Sequence, residues 1–122
     1  MISYTTLGTN DLPRASAYYD KLLGAMGAKR LMDMGRIIIW GKSMGQPMFS
    51  VCTPYDGKPA TVGNGTMISL AAPSKEEVDR LYKLALELGG TDEGAPGLRG
   101  GAFYIGYFRD PDGNKLNLIA PA

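Results

Sequence analysis

The chain repeats itself, and no other feature restricts its fold as much. A β-like run at residues 3–7 followed by a helical pattern at 11–26 superposes without a gap on residues 66–70 and 74–89, at an offset of 63 that carries Tyr4 onto Met67. Under that offset Asp11 meets Ser74, Ala15 meets Val78, Tyr19 meets Tyr82 and Leu23 meets Leu86. Each match has a physical reason. Asp11 and Ser74 are N-caps, whose side-chain oxygens accept from the free amides of the first turn. Ser74 and Glu77 spell a capping box, and Pro13 lies in the first helical turn, where a missing N–H costs nothing. Ala15, Tyr19, Leu22, Leu23 and Met26 form an apolar stripe at helical spacing, as do Val78, Leu81, Ala85 and Leu88. Gly24, Gly27, Gly89 and Gly90 supply helix-ending positions.

After each helical pattern come β signals. In the first half they fall at residues 31–32, 36–40 and 47–53, and in the second at 91–93, 102–109 and 115–120. The last two flank Asp110-Pro111-Asp112-Gly113-Asn114, a turn with Pro at its second position and Gly at its fourth. The pattern is βαβββ written twice: one module over residues 1–53, a Pro-, Gly- and Asp-rich linker over 54–64, and a second module over 65–122. Gly63-Asn64-Gly65 is a turn before a strand and not a dinucleotide fingerprint, because no helix follows it directly.

Composition narrows the function. A chain of 122 residues suits one domain with its own core. Thirteen basic residues against twelve acidic ones leave a net charge of +1, which gives no surplus for nucleic acid or a membrane surface. No apolar stretch approaches the ~20 residues that span a bilayer, and the N-terminal residues do not read as a signal peptide. The lone Cys52 forms no internal disulfide, which fits a reducing cytoplasm, and it is expected to pack as a small apolar group. Histidine is absent. That removes the commonest metal ligand and the usual proton carrier near neutral pH, and with them His-containing triads and Cys–His nucleophiles.

Thr6-Leu7-Gly8-Thr9-Asn10-Asp11-Leu12-Pro13-Arg14-Ala15, residues 59–66 and 90–99, and the closing Arg109-Asp110-Pro111-Asp112-Gly113-Asn114-Lys115 together cover most of the chain. In these stretches it resembles the vicinal oxygen chelate superfamily, in its glyoxalase, bleomycin-resistance and dioxygenase branch. The resemblance implies an α+β fold in which two βαβββ modules form an open, barrel-like mixed sheet with a central cleft, commonly within a homodimer. Active relatives place metal ligands on the first strand of each module and on the last strand, usually His, His and Glu. The corresponding positions here carry Tyr4, Met67 and Asn117. The remaining ligand position falls within residues 47–51, which include Phe49 and nothing ionisable in the useful range.

A metal-free cleft is therefore expected, with no cofactor. Met67 reads as filling for its floor, Tyr4 as a packed ring or a hydroxyl offered to a ligand, and Asn117 as a neutral amide able to donate and accept. Trp40 is either core or an aromatic platform beside Phe49. Arg99 is a solvated loop charge or a cap for an anion. Tyr104 and Tyr107 lie three apart on one strand and face opposite sides. Taking the charge of Arg109 as outward assigns Tyr107 to the outer face and makes Tyr104 the cleft candidate.

These residues suggest a homodimer that binds a small apolar or aromatic molecule, resembling the sequestration-type members. Classical metal-dependent glyoxalase or dioxygenase activity is expected to be absent. Two alternatives remain open. One is a divergent enzyme with Tyr4 or Tyr104 as proton donor, and the other is a closed structural module that serves dimerisation.

Overall fold

A computed structural model describes residues 1–122 and gives two compact units, Met1–Val62 and Gly63–Ala122. The first unit runs β1 (Tyr4–Gly8), α1 (Leu12–Gly24), β2 (Lys29–Asp33), β3 (Ile37–Gly41) and β4 (Met48–Cys52). The second runs β5 (Ile68–Ala71), α2 (Lys75–Glu87), β6 (Thr91–Arg99), β7 (Phe103–Arg109) and β8 (Lys115–Pro121). Each unit is thus one βαβββ module with a four-stranded mixed sheet, ordered β1-β4-β3-β2 in the first and β5-β8-β7-β6 in the second. The opening strand of each module lies parallel to its last strand, and the other pairings are antiparallel. The fold is α+β, and neither sheet is closed. No helix is long and apolar enough to cross a membrane.

The expected N-caps form, although the Glu77 carboxylate of the expected capping box is taken by Arg80. Asp11 accepts from the Arg14 amide at 3.1 Å, and Ser74 accepts from the Glu77 amide at 3.2 Å. The helices end at equivalent residues, Ala25 and Leu88. Of the four glycines expected to stop them, Gly27 and Gly89 take a positive φ, where a Cβ would be strained.

Each helix covers one face of its sheet. In the first module Tyr19 is fully buried against Trp40 and Phe49, at ring-centroid distances of 5.9 and 4.7 Å. In the second, Val78, Leu81 and Ala85 are buried with Phe108, Leu116 and Leu118. Residues 54–62, expected as a linker, fold back on the first module. Asn10 exchanges two hydrogen bonds with the Ala60 backbone, and the Arg36 guanidinium lies over the Tyr55 ring at 5.4 Å.

Strands differ in extent from expectation: β2 spans Lys29–Asp33 rather than residues 31–32, β5 begins at Ile68 rather than residue 66, and β6 changes most. The β signal at 91–93 continues through Gly94-Ala95-Pro96-Gly97 to Arg99, as an edge strand with two register shifts. Edge strands tolerate Pro, and the shifts absorb the glycines.

The Asp110–Asn114 turn is held from inside. The Asp110 carboxylate is buried and accepts from the amides of Asp112 and Asn114 and from the Asn114 side chain. This network sets the β7–β8 register, which pairs Tyr107 with Asn117 and Arg109 with Lys115.

Candidate functional site

Alternation along the strands gives each sheet a helix-covered face and an open face. In the first module the helix-covered face carries Leu7, Ile38, Trp40, Phe49 and Val51, all buried. The intervening residues make the open face: Tyr4 opposite Met48, Thr6 opposite Ser50, and Ile39 between Met32 and Ser50. This face holds a hollow of about 500 Å³ walled by Tyr4, Met32, Met34, Ile37, Ile39 and Met48. Ser3 and Arg36 stand on its lining as the other polar groups. The Tyr4 side is open, since that residue is 50% exposed. Cys52 lies on the same face and receives the Thr6 hydroxyl at 3.3 Å.

In the second module the register puts Ile105, Tyr107 and Arg109 of β7, with Lys115, Asn117 and Ile119 of β8, on the open face. Ser69 of β5 lies opposite Asn117 and donates its hydroxyl to the amide oxygen at 2.5 Å. The Arg99 guanidinium and the Lys115 ammonium both lie over the Tyr107 ring, at 5.8 and 5.3 Å from its centroid. Arg109 donates to Glu93 at 3.1 Å, and that bond is the main reason the Glu93 carboxyl titrates below its usual range.

The residues singled out from sequence separate into distinct places. Tyr4 lines the hollow of the first module. Asn117 and Arg99 lie on the open face of the second, and Met67, 38% exposed, immediately precedes β5 on the parity of Ser69. Trp40 and Phe49 do not line an open face. Both belong to the helix–sheet core, where the Trp40 indole N–H donates to Asp20 at 2.9 Å. As ligand-facing residues they are corrected: their strand positions point them under α1.

Tyr104 is corrected likewise. Its hydroxyl donates to Asp79 of α2 at 2.6 Å, and that bond and burial raise the pKa of the phenol. Tyr107 and Arg109 do share a face, as expected, but it is the open one. Ser69, Lys115, Tyr107, Met32 and Arg36 were not singled out. Ser69 was within reach of the sequence, because it stands two residues past the twin of Tyr4. No three His, Cys, Asp or Glu side chains cluster so as to hold a metal ion.

Comparison with known proteins agrees with this architecture. The sequence pattern of the glyoxalase/bleomycin resistance protein/dioxygenase superfamily matches residues 1–118. The crystal structure of a glyoxalase/bleomycin resistance protein from Albidiferax ferrireducens is 36% identical, with a TM-score of 0.89 over 98% of this chain and 97% of that one. A hypothetical protein from S. aureus is 25% identical, with a TM-score of 0.75 over 98% and 92% of the two chains. A lactoylglutathione lyase from Agrobacterium tumefaciens shares the fold, at 23% identity and a TM-score of 0.72 over 98% and 92%. No curated protein is significantly similar in sequence. With the two βαβββ modules and the pattern match over nearly all of its length, the chain belongs to the glyoxalase/bleomycin resistance protein/dioxygenase group of the vicinal oxygen chelate superfamily.

Proposed function

We propose that the protein is a small-molecule-binding member of this superfamily that works without a metal ion and takes an apolar or aromatic ligand. The hollow on the open face of the first module carries this reading. Its volume of about 500 Å³ lies within the range of drug-sized ligand sites. Methionine and isoleucine walls suit an apolar or aromatic body, since thioethers adapt their shape and attract aromatic edges. The Tyr4 hydroxyl and Arg36 supply the few polar groups that orient a ligand.

The donor set does not fit a divalent ion. The positions that correspond to the metal ligands of active relatives carry a phenol at Tyr4, a thioether at Met67 and an amide at Asn117 whose oxygen already accepts from Ser69. Hard cations want several oxygen ligands, preferably carboxylates. Glyoxalase chemistry further needs a Lewis acid and a carboxylate base, and none of these positions is a carboxylate. We read the protein as a homodimer, because each sheet has open edge strands that pairing would cover. Light scattering at micromolar concentration tests this, and a persistent monomer would count against it.

The direct test is titration with N-phenyl-1-naphthylamine, a neutral apolar fluorophore. Binding tighter than ~100 μM is expected, and Met48→Lys, which puts a charge in the hollow, is expected to weaken it at least ~10-fold. Fluorescence that stays flat, or binding indifferent to Met48→Lys, removes the hollow as the ligand site. Protein purified without tags should carry no stoichiometric zinc, nickel or cobalt by elemental analysis. Chelator-sensitive turnover of a hemithioacetal would overturn the metal-free reading.

A further inference from the structure

We propose that the open face of the second module is a carboxylate-binding site, in which the Asn117 amide N–H groups, Arg99 and Lys115 converge around the Tyr107 ring. This inference rests on the small-molecule reading only in taking the open faces as binding surfaces. It uses none of the residues of the first module's hollow.

Asn117 is the starting point. It is 3% exposed, and its Oδ1 is engaged by the Ser69 hydroxyl at 2.5 Å. That bond orients the amide, so Nδ2 points away from Ser69. Nδ2 finds no acceptor in the chain. Yet no side-chain nitrogen or oxygen that is fully shut off from solvent lacks a partner, so Nδ2 opens onto the free face. A donor oriented this way is well placed to meet an acceptor from outside.

The neighbours of Asn117 are cationic. Tyr107 is its partner across the β7–β8 ladder, and Lys115 lies two residues before it on the same face. Lys115 and Arg99 both lie against the Tyr107 ring. The backbone is shaped to seat Arg99. A Cβ at Gly97 would come within 2.8 Å of its Nη1, and one at Gly94 within 3.6 Å of its Nη2. The guanidinium spends one strong bond on the Ala95 carbonyl, at 2.8 Å, and keeps further donors. Among the charged side chains of this cluster Glu93 is the one acid, and it is tied to Arg109. Arg99, Arg109 and Lys115 therefore leave the face with an excess of positive charge.

Amide N–H, guanidinium and ammonium groups together are what a carboxylate selects, since charge-assisted bonds are roughly twice as strong as neutral ones. The aromatic ring between the cations gives a flat apolar surface beside them, which suits an aromatic carboxylate.

The experiment is an NMR titration of the full ¹⁵N-labelled chain with benzoate and, in parallel, with benzamide. Saturable shifts are expected at the Asn117 Nδ2 pair and the Arg99 Nε–H with benzoate, and ~10-fold weaker binding with the neutral amide. Arg99→Gln and Lys115→Gln should each weaken benzoate several-fold, and Asn117→Asp should remove it. Arg99→Gln and Lys115→Gln should leave N-phenyl-1-naphthylamine binding at the hollow unchanged, so the two readings can fail separately. Should Asn117→Asp fail to fold, the two glutamine variants still decide. The proposal is overturned if benzoate and benzamide bind alike, if the Asn117 signals stay still up to the solubility limit of benzoate, or if neither glutamine variant weakens it.

Discussion

The two modules share a scaffold and differ on their open faces. Equivalent strand positions follow from the registers: Ser50 faces Thr6 as Asn117 faces Ser69, and Trp40 sits beside Phe49 as Phe108 sits beside Leu116. Under the helices the equivalents stay apolar and buried, with Trp40 and Phe108, Phe49 and Leu116, Val51 and Leu118. On the open faces they part. Met48, Ile39 and Ser50 of the first module stand where the second has Lys115, Tyr107 and Asn117. Packing against a helix penalises a change of a single methylene, whereas a face without a cover accepts a change of character. The duplication is therefore preserved where it builds the core and has diverged where ligands are expected.

The largest test of this contrast lies in the cores. Trp40→Ala and Phe108→Ala are each expected to cost about 3–5 kcal/mol by urea unfolding, because each empties a fully packed aromatic site. Trp40 should cost more, since its loss also takes the indole bond from Asp20 and the contacts to Tyr19 and Phe49. A loss under about 1 kcal/mol at either site would mean that the helix-covered faces are not equivalent.

A second test compares the two hydroxyls on the open faces. Ser50→Ala removes a 2.7 Å bond to the Thr5 carbonyl, and Ser69→Ala removes the bond to Asn117. Each should cost about 1 kcal/mol. Only Ser69→Ala should also weaken benzoate, by freeing the amide to turn. Equal benzoate affinity in both variants would separate Ser69 from the carboxylate site.

Acidity offers a third. In the first module Arg30, with help from Trp40, holds the Asp20 carboxyl below its ordinary range. A lowered carboxyl stabilises the fold above its unfolded pKa of about 3.9, and that contribution is lost as pH falls through the folded value. In the second module Tyr82, the twin of Tyr19, donates to Asp92 at 2.5 Å. Burial first, and then that bond, push its phenol up to about 12. A raised phenol stabilises below its unfolded pKa of about 10, and the contribution is lost as pH climbs from there to about 12. Urea midpoints should therefore fall over that alkaline interval, and Tyr82→Phe should flatten the fall. The same change releases the Asp92 carboxyl, which the Tyr82 hydroxyl holds low, and so weakens the acid limb as well while leaving the Asp20 contribution in place. An unchanged alkaline slope in Tyr82→Phe would sink this assignment.

The smallest effect on stability is expected from Gly97→Ala, within about 0.5 kcal/mol, since its Cβ meets only the far end of a flexible arginine. Benzoate affinity should fall nonetheless, because the guanidinium must leave its seat on Tyr107. A carboxylate affinity unaffected by Gly97→Ala would mean that Arg99 acts from elsewhere.

The fold was legible where the local signals agree. Asp11, Ser74 and Glu77 mark helix starts, and the Asp110-to-Asn114 turn marks a hairpin. Facing was harder to read. Ile37-Ile38-Ile39-Trp40 and Met48-Phe49-Ser50-Val51 are apolar on both sides, so alternation does not say which residues lie under the helix. That is how Trp40 and Phe49 came to be candidates for an open face. For Tyr104 the parity was correct and its sign was not, because a charge such as Arg109 can occupy the uncovered side of a curved sheet as well as an outer one. The glycines of β6 read as a loop because their register shifts depend on the partner strand, which local sequence does not contain.

The buried Asp110 network also bears on the order in which structure forms. Its bonds close within five residues: the Asp110 amide donates to the Asn114 carbonyl, the Asp110 carbonyl accepts from the Gly113 amide, and the carboxylate accepts from the Asp112 and Asn114 amides and the Asn114 side chain. Closing so short a loop costs little chain entropy, so the β7–β8 hairpin is expected to assemble ahead of the parallel β5–β8 pairing, whose partners lie 48 residues apart. The first module joins β3 to β4 through a turn with a single backbone bond, from the Gln46 amide to Ser43. Of these two equivalent hairpins, β7–β8 therefore has the stronger local nucleus.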